Sequence, residues 1–290
     1  MDVVVIFNGL GNQMSQYALF LQKKKLDQST QLISFCADHN GFELDSVFSV
    51  SWKRNIRERL LYLTYRILLT EKKIIKPIQF LFSKFQFKIV NENYDYSFKR
   101  EYLSPSKGIT FYVGGWHSEL YFSEARTEVK RAFQFKQLDD EQNRALLSKI
   151  VNGQSVALHV RRGDYMNEEN LKLFGRVCTD AYFQKAIATM IEKVPDAHFY
   201  VFSNDLKWVK ENLRIERVTY IDHNSGKDSW KDMYLMSKCK HNVISNSTFS
   251  WWGAWLNENP EKIIISPTKF LNDDLSTDVY PQEWLKISEY

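Results

Sequence analysis

From residue 155 onward, short apolar runs alternate with helix-length amphipathic stretches, and this alternation constrains the fold more than any other feature of the chain. The first run is Val156, Ala157, Leu158 and Val160. It is followed in order by "TDAYFQKAIATMIEKV", "HFYVFS", a helical pattern around Trp208, "RVTYID", "DSWKDMYLMSKC", "NVIS", "FSWWGAWLN" and "KIIIS". Apolar runs this short read as strands covered on both faces, and strands separated by helices form parallel βαβ units. The first half opens the same way, with a strand over Val3 to Phe7, a glycine loop, and a helix from about Gln13 that sets Met14, Tyr17, Ala18 and Leu21 on one face. The expected fold class is α/β, with two Rossmann-like domains, residues 1–150 and 151–290, facing a cleft. The boundary rests on where the clean alternation begins, and the tail from about Phe270 is expected to pack back on the first domain.

Charge and cysteine content narrow the function classes. Lys and Arg number 39 against 35 Asp and Glu, with no basic tail, which does not fit a nucleic-acid binder. Cys36, Cys178 and Cys239 lie far apart, without metal spacing or an even count, and point to a reducing compartment. The start, "MDVVVIFNGLGNQM", has no basic leader, and no apolar span reaches the ~18 residues of a membrane crossing. A cytoplasmic protein is expected. Residues 52–88, "WKRNIRERLLYLTYRILLTEKKIIKPIQFLFSKFQFK", carry two readings: a helical layer packed on its own domain, or an interfacial helix making peripheral contact with the inner membrane surface.

Three stretches could carry chemistry. In "SVALHVRRGDY", residues 155–165, His159, Arg161, Arg162 and Asp164 cluster at the carboxyl end of a strand, the edge where open α/β sheets bind ligands. Two arginines there can hold a phosphate through forked hydrogen bonds, and the alternative is a solvated surface loop. In "FNGLGNQM", Gly9 and Gly11 invite a dinucleotide reading that fails because Met14 stands where the third glycine belongs. Asn12 and Gln13 could still bind sugar hydroxyls or a phosphate, or serve only as cap and turn. In "HNVISNSTFSWWGAWLN", Ser247, Thr248 and Phe249 lead from a strand into a helix amino terminus, a ready anion site. Asn246, Ser247 and Thr248 also spell a glycosylation sequon, a coincidence without a secretory route. Trp251, Trp252 and Trp255 could stack on a sugar, although tryptophans at helical spacing are more often core. Two phosphate-directed features at strand ends of one sheet imply a diphosphate ligand. The pairs Asp139-Asp140 and Asp273-Asp274 lie outside the clear strand ends, so no metal is expected, and arginines with a helix dipole would stabilise a leaving diphosphate instead.

These residues resemble the α-1,2-fucosyltransferases, especially the soluble bacterial members, through "GLGNQMSQYA", "GGWHSELYF", "HVRRGDY" and "DMYLMSKCKHNVISNSTFSWWGAWLN" in that order. The His-x-Arg-Arg-x-Asp element is shared with α-1,6- and protein O-fucosyltransferases, while the tryptophan-rich element is specific to the α-1,2 group. The resemblance implies a GT-B architecture, GDP-fucose as donor co-substrate, no cofactor or metal, and inversion at the fucose anomeric carbon. It makes Arg161 the pyrophosphate contact, with Arg162 and Asp164 completing the element and His159 near the nucleotide. Asp232 faces guanine, with Asn204 a further donor-side residue, and Ser247, Thr248 and Phe249 form the phosphate turn. Ser15, His117 and Phe174 depart from the pattern, which usually has an aromatic, a glutamine and a histidine there. The acceptor would be a galactose-terminated glycan on the side of residues 1–150, with GDP-fucose bound by residues 151–290. Glu119 is the preferred base for its 2-hydroxyl, ahead of His117, Asp38 and Glu169. Another fucosyl linkage, α-1,6 or α-1,3, and a non-catalytic GDP-sugar or glycan-binding module are the alternatives, and the oligomeric state stays open.

Overall fold

The structure is a computed structural model that describes residues 1–36, 39–52, 55–84, 86–273 and 278–288. The chain divides into two units, Met1–Lys136 and Gln137–Tyr290.

In the first unit β1 (Asp2–Ile6) leads into α1 (Leu10–Leu26) and β2 (Gln31–Ser34). The chain continues through α2 (Leu44–Val47), α3 (Ile56–Leu69), α4 (Lys76–Lys84), β3 (Phe87–Asn91), β4 (Ile109–Val113) and α5 (Arg126–Ala132). The strands form a parallel sheet in the order β2-β1-β4-β3. Every residue of β1 is buried, Val3 to Ile6 as an unbroken apolar run and Asp2 through its ion pair with Lys23 at 2.7 Å. The helix α1 starts at Leu10, three residues before the sequence places it, because Asn8 turns the chain at φ 63° and Gly9 is the N-cap. Met14 and Ala18 are fully buried, and Lys23, Lys24 and Lys25 fill the last turn, where cations complement the helix dipole. The inner stripe of α3, Leu61 and Tyr65, packs on Val3, Val5, Ile33 and Phe111. Packing on its own unit thus holds for one face of this segment.

The second unit opens with α6 (Glu141–Asn152), followed by β5 (Ser155–Val160), α7 (Glu168–Leu173), α8 (Asp180–Lys193), β6 (His198–Ser203) and α9 (Leu206–Asn212). The rest is β7 (Val218–Ile221), α10 (Trp230–Lys238), β8 (His241–Val243), α11 (Thr248–Trp255), β9 (Ile264–Pro267) and β10 (Leu285–Ile287). All six strands are parallel, in the order β10-β9-β8-β5-β6-β7. Tyr182, Phe183, Ala186, Ile187 and Met190 of α8 bury against Val156, Leu158, Phe199 and Val201.

Two expectations about domain limits are corrected. The boundary falls at Lys136–Gln137 rather than near 150. The reason is that α6, capped by the Asp140 carboxylate, is tied to α10 by Lys231, whose ammonium lies 2.9 Å from Asp139 and 3.0 Å from Asp140. The tail belongs to the second unit. Its strand β10 pairs with β9, the Val279 carbonyl accepts from Trp251 Nε1 at 2.7 Å, and Trp284 lies 5.6 Å from Trp251. Trp251, Trp252 and Trp255 are core, each no more than 2% exposed.

Candidate active site

In the second sheet the chain runs outward from β5 to β6 and β7, then crosses back to place β8 on the other side of β5. The gap between the carboxyl ends of β5 and β8 is therefore a topological switch point, where neighbouring loops diverge and leave space for a ligand. The arginine element follows β5 and the Ser247–Phe249 turn follows β8, so two segments some 85 residues apart meet at the place that topology favours. Ser245 joins them, its Oγ accepting from the Arg161 amide at 3.2 Å and lying 2.9 Å from His159 Nδ1.

Arg161 is presented rather than consumed. Its Nη2 donates to Asp164 Oδ2 at 2.7 Å, and its guanidinium lies 5.7 Å from the Tyr165 ring. Its Nε is buried and has no hydrogen-bond partner among the described residues. Leaving such a donor unmatched costs about 1–3 kcal/mol, a cost that an anionic ligand oxygen would remove. Asp164 and Asn204 are the frame. Asn204 Oδ1 accepts from the amides of Arg162 and Gly163 at 3.0 and 3.1 Å, and its Nδ2 donates to Asp164 Oδ1 at 2.9 Å. A Cβ on Gly163 would come within 2.9 Å of Asn204 Nδ2, so glycine is what lets this loop close. The Arg162 guanidinium lies 4.4 Å from the Trp208 ring and 3.7 Å from Asp205.

His159 is buried, its ring 5.9 Å from Phe249, and burial followed by the nearby Arg161 charge lowers its imidazole to about 3. It is neutral and positions Ser245. The helix α11 begins at Thr248 with Ser247 as N-cap, and the Ser247 side chain makes no capping hydrogen bond, which leaves the helix start the amide-rich end of an α-helix. Tyr165, which the sequence reading missed, steadies this turn by donating to the Asn246 carbonyl at 3.0 Å. Asn246 itself is 1% exposed and donates to the carbonyls of Phe174 and Phe270, which removes the sequon from consideration.

Asp232 sits half-buried on α10 and accepts from Asn224 Nδ2 at 2.7 Å. Burial raises its carboxyl to about 7 against the opposing Asn224 bond. Asn224 and Asn143 exchange hydrogen bonds at 2.8 and 3.0 Å, and His223 Nε2 lies 3.0 Å from Asn143 Oδ1. This amide chain was also missed, because its members come from a loop and the start of α6, which carry no motif.

The first unit repeats the logic. Its switch point lies between β1 and β4, where the glycine loop and the Gly114–His117 segment emerge. Gly11 is inside α1, not in the loop. Gln13 is fully buried and spends its side chain on Asn8, Gly41 and Glu43, which makes it a loop brace. Asn12 is half-buried in the first turn, and a Cβ on Gly9 would make only ordinary contact with His39. His117 is buried 3.2 Å from Ser15 Oγ, and burial lowers its imidazole to about 3. Glu119 forms a 2.6 Å ion pair with Arg126, Glu169 is exposed on α7, and Asp38 lies outside the described residues. The sequence reading missed Glu92 entirely. Its Oε2 accepts from the amides of Gly115 and Trp116 at 2.6 and 3.0 Å, its Oε1 is buried with no hydrogen-bond partner among the described residues, and burial raises the carboxyl to about 7.

Comparison with known proteins gives the family and the fold. Residues 2–288 match the model of glycosyl transferase family 11. An Escherichia coli alpha-1,2-colitosyltransferase is 30% identical over 304 residues, covering 100% of both chains. The human galactoside alpha-(1,2)-fucosyltransferase 1 is 28% identical over 48% of this chain and 40% of its own. Among solved structures, a variant of Arabidopsis thaliana FUT1 in complex with GDP shares the fold at TM-score 0.52 and 14% identity, covering 92% of this chain and 70% of that one. The two-unit parallel α/β plan is thus the GT-B type expected from the sequence, and the chain belongs to glycosyl transferase family 11, making it a glycosyltransferase.

Proposed function

We propose that this glycosyltransferase moves L-fucose from GDP-fucose to the 2-hydroxyl of a terminal β-galactose on a glycan, with inversion and without a metal or cofactor. The observation that carries the reading is the convergence of Arg161 and the uncapped start of α11 on Ser245 at the switch point of the second sheet. In this reading Arg161 and the first amides of α11 bind the diphosphate and stabilise the charge that grows on it as the bond to the anomeric carbon breaks. Asp164 and Asn204 hold Arg161 in place, and Asp232 accepts from the guanine edge. The acceptor oxygen forms the new bond from the face opposite the leaving diphosphate and gives up its proton to a general base. Glu119 keeps that role, its carboxylate fixed by Arg126.

The resemblance of four motifs to the α-1,2 group supports this linkage over α-1,6 or α-1,3. A colitosyl donor is the second reading, favoured by the full-length Escherichia coli relative. Incubation with GDP-fucose and lactose tests the proposal: GDP release with an α-1,2-fucosylated product supports it, and saturable binding without turnover makes the chain a binding module. No helix among the described residues is long and apolar enough to cross a membrane. We place the protein in the cytoplasm with peripheral membrane contact, for which the surface of residues 52–88 gives the ground.

A further inference from the structure

Residues 52–88 contain ten Lys or Arg against two acidic residues, Glu58 and Glu71, while the whole chain has a formal charge of +4. Everything outside this segment is therefore net negative by four. The positive charge is concentrated on one stretch of the first unit.

The same stretch exposes apolar side chains in a pattern. In α3, Leu61 and Tyr65 face the sheet. Ile56, Leu60 and Leu63 follow the i, i+4, i+7 spacing on the opposite side, and they are 77%, 60% and 53% exposed. Arg57 flanks this outer stripe on one side, Arg59 and Arg66 on the other. Ile74 and Ile78, before and within α4, are 84% and 45% exposed beside the exposed Lys72 and Lys76. Ordinary surfaces scatter exposed apolar side chains singly, whereas an interfacial helix groups them and borders them with long cationic side chains. One apolar stripe of α3 serves the fold, and the second has no such use.

We propose that this outer face seats the protein on an anionic lipid surface. Ile56, Leu60, Leu63, Ile74 and Ile78 enter the headgroup boundary, and Arg57, Arg59, Arg66, Lys72 and Lys76 meet the anionic headgroups. Charge complementarity selects this occupant. A second copy would bring an equally positive surface against the first, and a nucleic acid offers nothing to cover five exposed Leu and Ile side chains. The inference is independent of which sugar the enzyme transfers.

Flotation of the full chain with phosphatidylcholine vesicles, with and without about 30% phosphatidylglycerol, tests it. The protein is expected to float with the anionic vesicles and far less with the neutral ones, and binding should weaken in about 0.5 M salt. Leu60→Ser/Leu63→Ser/Ile74→Ser should lower partitioning at least about tenfold, with Tm and far-ultraviolet circular dichroism unchanged. Arg59→Gln/Arg66→Gln/Lys76→Gln should remove the preference for anionic vesicles. Failure of the wild-type chain to bind anionic vesicles, or equal binding by both variants, overturns the proposal. So does a dimer in sedimentation that the serine variant dissolves without any lipid binding, since a second copy would then cover the face.

Discussion

Ser15 and His117 stand 102 residues apart in the chain and 3.2 Å apart in the fold, side chain to side chain, at the switch point of the first sheet. Both depart from the pattern the chain otherwise resembles, so two departures that look unrelated in sequence are one local exchange. A small hydroxyl stands where an aromatic is usual, beside an imidazole where an amide is usual. The imidazole is lowered to about 3 by burial and is neutral across the working range. His117→Gln, which can still bond Ser15, is expected to keep kcat within about tenfold. A general base would lose roughly 10²–10⁴-fold, so a pH–rate profile with that loss would reassign His117 to the chemistry.

Arg161→Ala is expected to lower kcat by roughly 10²–10³-fold with Tm little changed, the loss of one donor to a developing anion. Arg161→Lys should also be poor, because an ammonium bonded to Asp164 cannot reproduce the forked guanidinium. Steady-state kinetics on both folded variants decide it, and an alanine enzyme above about a tenth of wild-type kcat removes Arg161 from the leaving-group role.

With Asp232 as the proposed guanine contact, its carboxyl, raised to about 7, sets the sign of the pH dependence expected of donor binding. Guanine offers donors and needs the ionised form, so GDP affinity should fall as pH drops through about 7. Asp232→Asn should flatten that dependence and weaken binding by about 1–3 kcal/mol. Calorimetry with GDP at pH 6 and pH 8 reads both effects, and an unchanged profile in the variant shows that this carboxylate does not read the base.

Glu92 makes a stability expectation. Its folded value, about 7, lies above the ordinary 4.5, so between those limits the unfolded chain has released a proton that the folded chain retains. The group's contribution therefore falls as pH rises through that window, by about 3 kcal/mol in all. Glu92→Gln keeps an oxygen for the Gly115 and Trp116 amides and does not titrate. Urea unfolding should show the variant gaining on wild type between pH 5 and pH 8, and parallel curves would refute the shift.

Transfer activity should persist in excess EDTA, because Arg161 and the α11 start supply the positive potential. Loss that added Mg²⁺ or Mn²⁺ restores would show that a cation carries the leaving-group charge.

What could be read in the sequence follows burial. The central strands of the second sheet are covered on both faces, so β5 and β6 announce themselves as unbroken apolar runs, and the switch-point residues come with them. Among the edge strands β7 was legible as "RVTYID", whereas β3 and β10 give no such signal. β3 carries Lys88 and Asn91 and is mostly exposed, and it was read as the end of an amphipathic segment. β10, with exposed Leu285 and Lys286, went unread, and with it the destination of the tail. Glu92 was unreadable because its bonds to Gly115 and Trp116 depend on the register that sets Asn91 opposite Val113. Gln13 looked like a ligand residue until the loops it braces were in place.

With β10 closing on β9, the polypeptide passes from one unit to the other a single time, at Lys136–Gln137. Each half is then a self-contained cassette with its own sheet and its own switch point. Recombination at that one joint could exchange one half while leaving the other untouched, without rethreading a strand. A lineage built this way can vary one half and keep the other.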